Sequence, residues 1–142
     1  MQNVLSFRDL DAWHAAMDLV LSTYDLCRRF PADEKYELVR QMRRAAVSVP
    51  PNIAEGHANG PGRRYRHHVR IALGSLGELA TQLEVAVRLK YVTVEAGTEM
   101  SSDLARTRQL LHGIRRSLNR QLLGQGLACV ALMSAAGLCW FF

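Results

Sequence analysis

The chain is 142 residues long, 49% apolar, and carries 18 Lys and Arg against 13 Asp and Glu, a formal charge of +5. That length describes one domain with a real core, and residues 1–10, charged at Arg8 and Asp9 and without a continuous apolar run, exclude a secretory signal peptide and predict residence in the cytoplasm. The charge is unevenly placed: residues 1–62 hold seven Lys and Arg against eight Asp and Glu, residues 63–90 six against two, and residues 103–120 five against one. Such clustering is the footprint of a polyanionic partner.

No segment sustains strand alternation and the periodic segments are too long for strands, so the chain is predicted to be all-α. A first helix is expected over about residues 11–29, with Trp13, Met17, Val20, Tyr24 and Cys27 facing inward and Phe7 and Leu10 folded back on its start. Phe30 and Pro31 make the turn, and Asp33 and Glu34 suit the positive start of the second helix. There Leu38, Met42, Ala45, Val49 and Ile53 recur at steps of three and four. Pro50 and Pro51 fall inside that pattern and each removes an i to i−4 backbone bond. Two readings stay open: a kinked continuous helix, favoured because the pattern keeps phase through Asn52, Ile53 and Glu55, or a helix ending at Val49 with a short one following. Residues 56–62, G-H-A-N-G-P-G, read as a linker.

The third helix is expected over about residues 63–89, with Val69, Leu73, Leu76, Leu79 or Ala80, Leu83 and Val87 inward. Residues 91–98 should connect to a fourth helix capped by Ser101 or Ser102, whose apolar positions are Leu104, Leu111, Ile114, Leu118 and Leu122. Four amphipathic helices with short connections predict an antiparallel up-down four-helix bundle with a Pro-kinked second helix, over residues 1–122.

A second stripe lies beside the apolar face of helix two. Gln41, Arg44, Ser48, Asn52 and Glu55 mix amide, guanidinium, hydroxyl and carboxylate, a set suited to a packed interface that fixes register or assembly. Gly74 and Ser75 in helix three are expected opposite Ser48 and Asn52, with the poor helix former Gly74 permitting close approach and Glu78 and Gln82 extending the polar contact.

The segment F-P-A-D-E-K-Y-E-L-V-R-Q-M-R-R-A-A-V-S-V-P-P-N-I-A-E-G, followed by I-A-L-G-S-L-G-E-L-A-T-Q-L, resembles the bacterial four-helix bundle proteins encoded in 23S ribosomal RNA intervening sequences. The likeness rests on Phe30, Pro31, Glu34, Leu38, Gln41, Arg44, Ala45, Ser48, Asn52, Ile53, Ala54, Glu55 and Gly56, then Ala72, Gly74, Ser75, Glu78 and Leu79, and spans roughly residues 5–122. It implies the bundle fold and a ring-like homopentamer, with no defined biochemical role. More distantly, the chain is similar to the accessory protein of diversity-generating retroelements, a basic pentameric bundle that binds a reverse transcriptase and nucleic acid.

In R-R-Y-R-H-H-V-R, Arg63, Arg64, Arg66 and Arg70 surround Tyr65, with no acid from His57 to Leu76. Arginines there suit phosphates, and Tyr65 suits stacking on an unpaired base. Arg106, Arg108, Arg115, Arg116 and Arg120 form a second basic segment. The alternative for both is a solvated charged face. Cys27, Cys129 and Cys139 lack the pairing of a zinc or redox motif, and the five histidines lie apart or adjacent, so no metal or other cofactor is expected. Glu55 and Glu78 resemble a carboxylate pair across helices two and three, yet their neighbours supply enough partners for a structural network. The expectation is therefore a non-enzyme: a homo-oligomeric bundle whose basic faces bind RNA or a protein working on nucleic acid, or alternatively an interaction scaffold, free or membrane-tethered, with no nucleic-acid role.

Residues 123–142 form an uncharged tail, apolar all round a helix. From Leu122 its length as a helix is roughly 31 Å, close to a bilayer's hydrocarbon core. A C-terminal membrane anchor, an extension of helix four packed on the bundle or between subunits, and an aberrant reading-frame end are the three readings, with Gly124, Gln125, Gly126, Ser134 and Gly137 weighing against the first.

Overall fold

The computed structural model describes residues 6–137, with side chains described through Gly124. Four α-helices follow one another: α1 (Asp11–Cys27), α2 (Leu38–Ala58), α3 (Arg63–Arg88) and α4 (Val94–Gly137), and no strand occurs among the described residues. Each helix packs on the next, and α1 also packs on α4, which closes the four into a bundle. Pairs across α2 and α3 run in opposite senses, Ser48 with Ser75 and Asn52 with His68. Arg66 likewise meets Asn119, tying the start of α3 to the later half of α4.

The core follows from helical spacing. Leu19, Met42, Ile53, Leu76, Leu79 and Leu111 are fully buried, one or two from each helix. On α2 the apolar series Met42, Ala45, Val49 and Ile53 is buried as the spacing predicts, with Leu38 half-buried at the start. Helix two runs without a break through Pro50 and Pro51, so the ending at Val49 does not occur. Pro50 lies in the core and Pro51 faces solvent.

Three expectations are corrected. The inward face of α1 is Ala12, Ala16, Leu19, Thr23 and Leu26, with Cys27 at its end; Trp13, Met17 and Val20 lie at its edge and Tyr24 is exposed. The large side chains on α1 misdirected the periodic reading, because alanines carry the contact with the neighbouring helices. Phe7 does fold back, its ring meeting Trp13 edge-on at 5.4 Å. The linker shrinks to the four residues after α2, since residues 56–58 remain helical and Gly60 takes the positive φ of the turn, 69°. Helix four begins at Val94 rather than after Ser101, and the Thr93 hydroxyl accepts a hydrogen bond from the Ala96 N–H at 3.3 Å. Gly97, inside the expected connector, and Met100, just beyond it, are consequently buried helix residues.

Glu34 performs the role expected of it from a separate 3-10 turn, Ala32–Tyr36: its Oε2 accepts from the Leu38 N–H at 3.3 Å, and its Oε1 accepts from the Tyr91 hydroxyl at 2.9 Å. It thus joins the start of α2 to the α3–α4 connection.

The backbone of α4 crosses the expected boundary at residue 123 and continues to Gly137, about 66 Å for its 44 residues. Among the described residues no helix is long and apolar enough to cross a membrane. The remainder of the anchor expectation concerns residues 138–142 and the side chains of residues 125–137, which lie outside the described set.

Candidate nucleic-acid interface

Two helix faces meet to form a strongly basic surface. On α3, Arg63, Arg66 and Arg70 stand at steps of three and four and share one face. On α4, Arg115, Arg116 and Asn119 stand one turn apart. The antiparallel register brings the start of α3 beside the later half of α4, and together with His67 these six side chains line an open cleft of about 540 Å³. No carboxylate lines it, although the two segments are far apart in sequence.

The cleft is partly ordered from within. Arg66 Nη1 donates to Asn119 Oδ1 at 3.5 Å, across the two walls. Arg70 Nη2 donates to His67 Nδ1 at 3.2 Å, and since guanidinium only donates, the proton of a neutral His67 ring sits on Nε2. His112, one turn before Arg115 and Arg116 on α4, titrates below its ordinary range, first because of desolvation and then because Arg115, Arg108 and Arg116 repel a proton. A bound polyanion would neutralise that repulsion.

Four of the expected nucleic-acid residues take other positions. Tyr65 is not free to stack on a base: it is only 7% exposed, its ring lies against Gly56 and edge-on to His57, and burial pushes its phenol up to about 12. Arg64 is exposed but lies outside the cleft lining, as do Arg106 and Arg108.

The polar stripe divides similarly. Ser48 Oγ and Ser75 Oγ are hydrogen-bonded at 2.8 Å, and Asn52 Nδ2 donates to the Ser48 carbonyl at 2.8 Å. Asn52 Oδ1 then accepts from His68 Nδ1 at 3.1 Å, and the same nitrogen lies 3.6 Å from Glu55 Oε2. Gln41, Arg44, Gly74 and Glu78 are exposed around this seam. Gly74 provides no close approach within the subunit, since a Cβ there would meet nothing within 4 Å; between α2 and α3 it is Gly56 that does, its Cβ striking the Tyr65 ring. Glu55 turns to His68 rather than to Glu78, which lies roughly 15 Å farther along α3. Gln82 continues the face, but its Oε1 is buried without a partner among the described residues. His68 was the missed member; it precedes Ser75 by two helical turns and so shares its face, a signal present in the sequence.

Among the described residues no three His, Cys, Asp or Glu side chains are gathered as for a metal ion. Cys27 is buried and free, and burial pushes its thiol up despite the nearby Arg43 guanidinium.

Comparison with known proteins places this arrangement in a family. A solved structure similar to the chain is that of a protein with unknown function from the S23 ribosomal protein family of Bacteroides thetaiotaomicron, with a TM-score of 0.68 and 21% identity over 74% of this chain and 95% of that one. At that identity the likeness shows the fold. No curated protein matches. The family model described as 23S rRNA-intervening sequence protein matches residues 8–113, which hold α1 to α3 and the first part of α4 but stop short of Arg115, Arg116 and Asn119. The chain belongs to the 23S rRNA-intervening sequence protein family.

Proposed function

We propose that this protein is a non-catalytic, homo-oligomeric four-helix bundle that binds nucleic acid, or a nucleic-acid-processing complex, by contacting phosphates in the cleft between α3 and α4. The observation that carries this reading is the convergence of Arg63, Arg66 and Arg70 with Arg115 and Arg116 in one cleft without a carboxylate. Guanidinium forks suit phosphate oxygens, and the helical backbones set the spacing from which they reach. Non-catalytic function is supported by the way the stripe carboxylates are used: Glu55 is engaged with His68 and Glu78 stands apart.

Assembly is supported by the face beside the Ser48–Ser75 bond. Val47 adjoins Ser48 and Ile71 lies one turn before Ser75, and they are 41% and 39% exposed. That exposed apolar pair beside a specific polar seam also favours the scaffold as a second reading, with the pentamer implied by resemblance common to both. Repetition of the cleft in a ring would sum weak contacts by avidity.

Size exclusion with light scattering, recording absorbance at 260 and 280 nm at low and high salt, tests the proposal. The native protein is expected to elute as an oligomer carrying nucleic acid that salt removes. The Arg63→Ala, Arg66→Ala, Arg70→Ala variant should keep its mass and elute free of nucleic acid. Equal nucleic-acid content in the two proteins at low salt refutes the assignment, and a native oligomer without nucleic acid at either salt favours the scaffold.

A further inference from the structure

We infer that the occupant of the cleft is a double-helical stretch of nucleic acid held by its backbone, not a single strand held by its bases. The inference rests on the reading of the cleft as a nucleic-acid site and names the form that site selects.

The lining consists of five arginines, Asn119 and one imidazole, His67, and holds no Phe, Tyr or Trp. Tyr65, the ring that interrupts the basic run in sequence, is committed to the α2–α3 contact. Single-strand sites combine a basic groove with rings on which bases stack, and stacking offsets the entropy lost when a flexible strand is ordered. This cleft supplies the first component in full and, for the second, the small His67 ring alone.

A duplex arrives with its phosphates already ordered, and Arg63, Arg66 and Arg70 present a row about 10 Å long on an unyielding helix, faced by Arg115 and Arg116. Charge density acts in the same direction. Five phosphate contacts give a salt slope of about −4.5 on a duplex and about −3.5 on a single strand. The preference for the duplex therefore grows about fourfold as salt falls from about 200 to about 50 mM.

Fluorescence anisotropy with the full-length protein tests this, using a short labelled RNA duplex and each of its separated strands, chosen to lack self-structure. The duplex is expected to bind more tightly than either strand, by a margin that widens about fourfold over that salt range. The variant carrying Arg66→Ala and Arg115→Ala, both at exposed positions, should lose at least about tenfold of the duplex affinity at the lower salt. A strand that binds as tightly as the duplex overturns the inference and leaves the nucleic-acid reading standing. Binding of neither overturns both, and an unchanged duplex affinity in the variant shows that the duplex does not sit in this cleft.

Discussion

The replacement Gly56→Ala sets two physical effects against each other. Gly56 lies inside α2, where alanine is favoured over glycine by up to about 1 kcal/mol. A Cβ at this position, however, would strike the buried Tyr65 ring, with Cε2 at 2.9 Å, and would lie 3.1 Å from His68 Cβ. Overpacking of this kind costs roughly 1–3 kcal/mol, because an aromatic ring under a helix crossing has little room to yield. The sum is a loss of about 1 kcal/mol, or roughly 4 °C in Tm at this chain length. Gly113→Ala in α4 provides the comparison, since a Cβ there meets nothing within 4 Å. It should raise Tm by up to about 4 °C, by propensity alone. Thermal unfolding followed by circular dichroism reads both, and adding Tyr65→Ala to Gly56→Ala should abolish the extra cost of the alanine. If Gly56→Ala raises Tm as much as Gly113→Ala does, the α2–α3 crossing is not as close as described.

Other outcomes follow from the same geometry. Ser48→Ala and Ser75→Ala should each cost about 1 kcal/mol in denaturant unfolding, with the double variant costing no more than either single one; additive losses would mean the 2.8 Å bond contributes nothing. In an NMR titration His112 should lose its proton below the usual imidazole range and move upward in Arg115→Ala, whereas an unmoved midpoint would remove Arg115 from its surroundings. Because that folded-state value is depressed, the stabilisation tied to His112 is present above the unfolded value and is lost as pH falls through the folded one. Tyr65, raised to about 12, acts in the opposite direction: its contribution is complete below the ordinary phenol value and disappears as pH rises from about 10 toward 12. Ultraviolet titration should show Tyr65 ionising late, and a Tyr65→Phe variant should lack that late step; ionisation at the ordinary value would contradict its burial.

Much of the fold is legible because helix periodicity alone places Met42, Ala45, Val49 and Ile53 on one face, and the phase of that stripe carries α2 through two prolines. The rest failed where small side chains did the packing. Ala12, Ala15 and Ala16 form the true inner face at the start of α1, and a reading weighted toward Trp13 and Met17 rotates the helix. Gly97 misled in the same manner: inside a polar stretch it reads as a connector, yet it is buried where Val87 of α3 approaches. For the interface, the two basic segments were visible as charge clusters, but only the antiparallel pairing of α3 with α4 decides that Arg66 and Arg115 share a cleft while Arg64 and Arg106 do not. Tyr65 shows the converse, since sequence puts it among arginines and the glycine across from it draws it inward.

The salt dependence of RNA-duplex affinity, compared between the native protein and the Arg66→Ala, Arg115→Ala variant, tests the central claim that both walls of the cleft contact phosphates. With five contacts the native slope of log affinity against log salt should be about −4.5, and removal of two, one from each wall, should bring it to about −2.7. The same slope and the same affinity in both proteins would contradict the claim.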